Sequence, residues 1–251
     1  MKTILSITIL VTVVALLMIN ASYATETDNR IESSARESYV FKTYLKGDDI
    51  KIKSKDGVVT LTGTVNYESH KLLAVETVAG LPGVKSVDNR MEVKGELPTG
   101  NSDGEISERV KATLLFHRST GESPIEVSVK DGIVTLKGIA ANDAKKALAT
   151  EYTEDIEGVK DVKNEMTTKH EDVTTYVKVS EYIDDASITA QVKTSLLYHR
   201  STSGLRTKVS TDNGVVTLTG TAKNAAEKTL AALYANDIKG VKYVINRMTI
   251  E

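Results

Sequence analysis

Lys55-Asp56-Gly57-Val58-Val59-Thr60-Leu61-Thr62-Gly63 is a strand-turn-strand phrase that returns as Lys130-Asp131-Gly132-Ile133-Val134-Thr135-Leu136-Lys137-Gly138 and Asp212-Asn213-Gly214-Val215-Val216-Thr217-Leu218-Thr219-Gly220. An Asp-Gly or Asn-Gly pair supplies the positive φ angles of a tight hairpin, and the β-branched run leaving it reads as a strand. Upstream, Ile50 and Ile52, then Ile125, Val127 and Val129, then Leu205 and Val209, alternate with polar neighbours in the period of a half-buried strand. Downstream, a second signature recurs 26 residues after Gly57, Gly132 and Gly214: Gly83-Val84-Lys85, Gly158-Val159-Lys160 and Gly240-Val241-Lys242. A third closes each copy: Asn89-Arg90-Met91, Asn164-Glu165-Met166 and Asn246-Arg247-Met248.

Three units follow, 33–95, 104–169 and 184–251. Each opens on a helical stripe: Val40, Tyr44 and Leu45; Ile106, Val110, Leu114 and Leu115; Ile188, Val192, Leu196 and Leu197. A second helix lies between the hairpin and the Gly-Val-Lys signature. Its expected buried stripe is Leu72, Val75 and Ala79; Ala144, Ala147, Leu148 and Tyr152; or Ala226, Leu230 and Leu233. Gly83, Gly158 and Gly240 fall where that helix would be capped, and a third strand follows. Gly63, Gly138 and Gly220 end the second strand, where a bulge or close backbone approach is expected. The fold class is therefore α+β: three tandem α-β-β-α-β units, each a three-stranded sheet packed on two helices. The stretch from Gly95 to Asp103 reads as a plain linker, and Glu171 to Ile183, with Val173, Tyr176, Val177 and Val179, as a partly ordered strip. Small units of about 65 residues are marginal alone, so packing between them is expected to matter.

The 251 residues contain no cysteine and no tryptophan, and 32 basic against 34 acidic side chains give a net charge of −2. That balance provides no global field for nucleic acid, and the absent thiols exclude disulfides and Cys-ligated zinc. Met1 to Ala24 has Lys2, an apolar and hydroxylated run from Ile4 to Ile19, and Ser22-Tyr23-Ala24. This reads as a secretory signal peptide cleaved after Ala24, placing the chain in the periplasm of a Gram-negative cell, with Thr25 to Glu32 as a polar lead-in.

An exported chain of tandem α-β-β-α-β units carrying D/N-G-x-V-x-L-x-G and a later G-V-x-x-V resembles the BON family. Gly63, Gly138 and Gly220 match that family's characteristic glycine, and Gly83, Gly158 and Gly240 match its later turn. The resemblance implies an osmotically inducible periplasmic protein, envelope stress biology, phospholipid association and, for some relatives, chaperone-like help to other exported proteins. Similar proteins usually carry two units, so the third is a departure.

No nucleophile elbow, phosphate loop, dinucleotide glycine pattern or His-x-x-x-His spacing appears among the residues, His70, His117, His170 and His199 included. No catalytic residue, metal site or cofactor is assigned. Units two and three share Leu115-Phe116-His117-Arg118-Ser119-Thr120 and Leu197-Tyr198-His199-Arg200-Ser201-Thr202, whereas unit one reads as lacking five residues between Leu45 and Ile50. One reading is that His and Arg complement a helix C-terminus. The other is an anion-binding edge for a phospholipid headgroup formed by His117, Arg118, His199 and Arg200. Unit three, with nine basic against six acidic residues, adds Lys193, Arg206 and Lys208 to that edge. The expected function is non-enzymatic: a periplasmic protein associating with anionic phospholipid under osmotic or envelope stress. The alternative is a chaperone holding unfolded exported clients.

Overall fold

The computed structural model describes residues 25–94, 102–120, 125–168, 182–202 and 204–251. Met1 to Ala24, with the expected signal peptide and its cleavage site, most of both linkers and the Leu205 side chain lie outside these. Unit 1 comprises a helix over 25–37 (α1), α2 (Tyr39–Thr43), β1 (Asp49–Lys55), β2 (Val58–Val65), α3 (Glu68–Ala79) and β3 (Ser86–Val93). Unit 2 has α4 (Asp103–Phe116), β4 (Ile125–Lys130), β5 (Ile133–Ala140), α5 (Asp143–Glu154), β6 (Asp161–Asn164) and β7 (Thr167–Thr168). Unit 3 has α6 (Asp185–Tyr198), β8 (Thr207–Asp212), β9 (Val215–Ala222), α7 (Ala225–Asp237), β10 (Tyr243–Asn246) and β11 (Thr249–Ile250). In every unit the second strand is central, antiparallel to the first and parallel to the third. In units 2 and 3 the third strand is broken into two short runs, both paired with the central strand.

The three signatures interlock. Asp56 and Gly57, at φ 54° and 80°, make the tight hairpin turn, as do the equivalent pairs in the other units. The turn carbonyl of Gly57 accepts from Lys85 N at 2.8 Å; Gly132 and Gly214 accept from Lys160 and Lys242 at 2.9 and 2.8 Å. The Gly-Val-Lys signature is thus the partner of the hairpin turn. Gly63 has φ 109°, and a Cβ there would stand 1.9 Å from Asp49 O, so only glycine lets β1 approach. Asn89, Asn164 and Asn246 accept from the backbone N–H of Met91, Met166 and Met248, whose side chains are buried.

Each hairpin turn is also stapled by an aspartate at the start of its unit. Asp103 accepts from Asp131 N and Gly132 N at 2.7 and 2.8 Å, and Asp185 from Asn213 N and Gly214 N, the latter at 2.8 Å. Asp28 does the same for Asp56 N and Gly57 N at 2.8 and 3.0 Å and also accepts from Ser54 Oγ at 2.6 Å. This alignment corrects two expectations. Thr25 to Glu32 is helical rather than a lead-in, and unit 1 has lost no residues: 29 positions separate staple from glycine in all three units. Ile31 occupies the place of Ile106 and Ile188, all at 1% exposure. The signal was hidden because the helix breaks at Ser38, which caps α2 through Phe41 N, so the stripe changes phase at Val40.

The second helices are also rotated from the expected phase. Tyr152 is buried as expected, but so are Leu73, Ala74 and Val78, then Ala149, then Ala231 and Ala235, whereas Ala144, Ala147, Leu148, Ala226 and Leu233 are exposed. Ala149, Ala231 and Ala235 at the contact let the second helices of units 2 and 3 sit close to their sheets.

Candidate functional site

The nominated His-Arg-Ser segments form the junction between units 2 and 3. At the end of α4 the backbone turns extended at His117 and pairs with the end of α7: Arg118 N donates to Asp237 O at 2.8 Å, and Lys239 N to Phe116 O at 3.1 Å. At the end of α6, Arg200 N donates to Asp155 O at 2.8 Å, and Glu157 N to Tyr198 O at 3.2 Å. The two halves are related as a pseudo-two-fold pair, each unit capping the other's second helix.

Side chains complete the exchange. The Asp237 carboxylate meets His117 Nδ1 at 3.1 Å and accepts from Ser119 Oγ at 2.6 Å and Tyr152 OH at 2.9 Å. Asp155 meets His199 Nδ1 at 3.1 Å and accepts from Tyr234 OH at 2.8 Å and from Ser201 Oγ. Arg118 donates to Asn236 O and to Val241 O, the latter at 3.1 Å, and Arg200 to Glu154 O and to Val159 O, again at 3.1 Å. His117 lies over Tyr152 with centroids 4.3 Å apart, His199 stacks on Tyr234 at 4.0 Å, and the two imidazoles stand 5.9 Å apart. The symmetry fails at one point: His117 Nε2 meets Ser195 Oγ at 3.1 Å, whereas His199 Nε2 and Thr113 Oγ1 form no hydrogen bond.

Electrostatics follow from this enclosure. Burial pushes the His117 imidazole below its usual value, against the opposing pull of Asp237 and with the help of nearby His199. Burial pushes Asp155 and Asp237 up, but hydrogen bonds from histidine, serine and tyrosine outweigh it and hold both below the usual carboxylate value. Tyr152 and Tyr234 are raised, by burial first and then by the carboxylates they face. Each aspartate is thus an ionised acceptor saturated by the neighbouring unit.

The exposed anion-binding edge is therefore corrected. His117 and His199 are 0% and 1% exposed, and both arginines spend donors on carbonyls of the opposite unit. Lys193 pairs with Glu76 of unit 1 at 2.6 Å, and Arg206 with Glu227 at 3.8 Å and with Glu251. Lys208 faces solvent on β8, and Arg118 and Arg200 stay exposed while their guanidinium groups donate across the junction. Sequence reasoning placed Tyr152 only in the helix core and missed Asp155, Tyr234 and Asp237 at this junction. Their signal was available: Tyr-x-x-Asp recurs in the two units that share His-Arg-Ser, while unit 1 has Thr77 and Gly80 there and Lys42 and Thr43 in place of His and Arg.

Unit 1 docks differently, onto α6. Tyr39 N donates to Asp184 Oδ2 at 2.8 Å and Val40 N to Ser187 Oγ at 3.1 Å, and Gly80 lies against Ala186. Where the three units meet, a groove of about 900 Å³ opens. Leu72, Val75, Val93, Leu197 and Tyr198 line it together with charged side chains that pair locally: Lys71 with Glu68, Arg109 with Glu105, Lys111 with Glu108. Leu72 and Leu197 also border a second recess of about 440 Å³ beside Lys193 and Lys208.

Comparison with known proteins agrees with the repeat. The BON domain model matches residues 27–95, 102–170 and 184–251, its first match beginning just before Asp28. Osmotically-inducible protein Y of Escherichia coli (strain K12) is 30% identical over 146 residues, 57% of this chain and 73% of that protein. An uncharacterised protein of Anaplasma centrale is 30% identical over 129 residues, 51% of this chain and 83% of its own. A solved structure of CdsD, a structural protein of the type III secretion system of Chlamydia trachomatis, covers 88% of this chain and 90% of its own at 18% identity and a TM-score of 0.25. Three family matches, each centred on a stapled glycine hairpin, place this chain in the BON-domain family.

Proposed function

We propose that this chain is an exported, non-catalytic protein of the periplasm that serves the envelope under osmotic stress by holding extended apolar segments of other exported proteins. The likeness to osmotically-inducible protein Y supports the setting. The observation that carries the binding mode is the groove between the units. Its volume lies within the ~300–1,000 Å³ of ligand pockets. Its apolar floor of Leu72, Val75 and Leu197 would bury aliphatic side chains, and the self-paired charges on its rim select no single sign of ligand. The test is suppression of aggregation of an unfolded exported client by the mature chain, compared with Leu72→Asp and Leu197→Asp. Suppression lost in both variants, with their folding intact, is the expected result; equal suppression by all three overturns the reading.

Phospholipid association is the second reading, and a different surface favours it. Lys51, Lys53 and Lys55 stand exposed in a row on the outer side of β1, with Lys53 4.0 Å from Glu32. Such side chains gain about 1 kcal/mol each beside an anionic bilayer. Co-sedimentation with anionic vesicles that is lost in the triple Lys→Glu variant and weakened by salt would support it.

A further inference from the structure

We propose that the junction between units 2 and 3 is an acid-labile clasp, in which His117, buried against His199 and tied to Asp237, lets the two units part when it takes up a proton. This goes beyond what the groove holds and stands on other residues. The Asp237 carboxylate can only accept, so the 3.1 Å contact places a proton on His117 Nδ1. Nε2 is then the acceptor for Ser195 Oγ at 3.1 Å, and the ring is neutral with both nitrogens satisfied. A second proton on Nε2 reverses that bond and puts a cation into a site that is 0% exposed.

The titratable and charged groups of the junction around the ring come from four elements. Asp237 and Tyr234 belong to α7, His199 and Arg200 to the end of α6, Tyr152, Asp155 and Glu151 to α5 and its cap, and Arg118 to the ring's own segment. Asp237 favours the cation, but its carboxylate is already an acceptor for Ser119 Oγ and Tyr152 OH. Burial and the His199 ring oppose it and prevail, holding His117 below its ordinary value. Once released, the ring titrates in water near ~6.5. The clasp is therefore at full strength above that pH and weakens as pH falls below it, by about tenfold per pH unit for the one proton taken up, until the clasped-state value is passed. The aspartates are depressed in the clasped state, so their contribution is lost only at lower pH, below the ordinary carboxylate value, and the first step belongs to His117. Parting uncovers Ile156 and Ile238, both 0% exposed in the joined pair.

The test uses the full mature chain, which has no native cysteine, labelled with a fluorescence donor and acceptor at Lys163→Cys and Ala226→Cys, both exposed. Transfer is followed from about pH 7.5 to about pH 5, where histidine titrates. Transfer that falls with pH in this background and stays level after His117→Gln is the expected result. Level transfer in the labelled chain, or an equal fall after His117→Gln, overturns the clasp. If His117→Gln is already apart at about pH 7.5, the imidazole proton resonances of the unsubstituted chain decide. A His117 resonance that moves together with the loss of transfer supports the proposal, and one that titrates without such loss overturns it.

Discussion

At the scale of single residues, three aspartates do the same work from three helix starts. Asp28 accepts from two backbone N–H groups and one hydroxyl; removing it leaves turn donors without their acceptor. Asp28→Ala should cost about 1–3 kcal/mol in denaturant unfolding. The Ser54 hydroxyl first, then Gly57 N–H, hold its carboxyl below the usual value, so the contribution is present above the unfolded-state pKa and lost as pH falls through the folded one. Glycines divide by what a Cβ would meet. Gly63→Ala combines φ 109° with a backbone oxygen 1.9 Å from the new carbon, and the backbone strain alone costs about 1–3 kcal/mol. Gly104→Ala, in α4 with nothing within 4 Å of the new carbon, should stabilise by about 0.5–1 kcal/mol. Chemical denaturation of the two variants side by side checks both signs. The glycines were legible because positive φ leaves a mark in sequence. The aspartate staple was not, because its two ends lie 29 residues apart and an acid in the first turn of a helix reads as a partner of the helix dipole.

Among the elements, α6 is the one covered on most sides. Ser187, Thr189, Gln191, Thr194 and Ser195 are buried along with its apolar stripe, because unit 1 covers one flank and the junction another. A helix whose polar residues are buried by neighbouring units has no amphipathic signature in its own sequence, so periodicity recovered Ile188, Val192 and Leu196 but nothing of the other faces. The second helices mislead in phase: the spacing selects Leu72, Leu148 and Leu230, whereas Leu73, Ala149 and Ala231, one position on, are buried. The seat of unit 1 on α6 turns on size. Gly80 has φ −79°, which any residue adopts, yet a Cβ there would stand 3.3 Å from Ala186 Cα and Cβ. Gly80→Leu should therefore leave unit 1 folded but push it off α6, breaking the Lys193–Glu76 pair. Faster proteolysis between units 1 and 2 with unchanged circular dichroism is the expected readout; unchanged proteolysis would mean the seat tolerates a side chain.

For the whole molecule, the count and order of the units were legible and their assembly was not, since repeats announce themselves locally whereas the junction joins residues 120 positions apart, His117 and Asp237. The assembly is unequal: units 2 and 3 exchange matching contacts, and unit 1, with Lys42, Thr43, Thr77 and Gly80 in the corresponding places, is excluded from that exchange and rests on α6. Charge alone made Arg200 and Lys208 look like members of one basic surface; their surroundings separate them. Arg200 donates to Glu154 O and Val159 O, closing the C-terminus of the opposing unit's helix, whereas Lys208 points to solvent from β8. Arg200→Glu replaces a donor with a carboxylate beside helix carbonyls and Asp155, so it should cost about 1–3 kcal/mol and loosen the junction. Lys208→Glu should stay within about 0.5 kcal/mol of the parent. Thermal unfolding of both variants, with small-angle scattering to register separation of the units, distinguishes a junction residue from a surface charge: equal effects at the two positions would return Arg200 to the surface, and an expansion confined to Arg200→Glu would hold it in the joint.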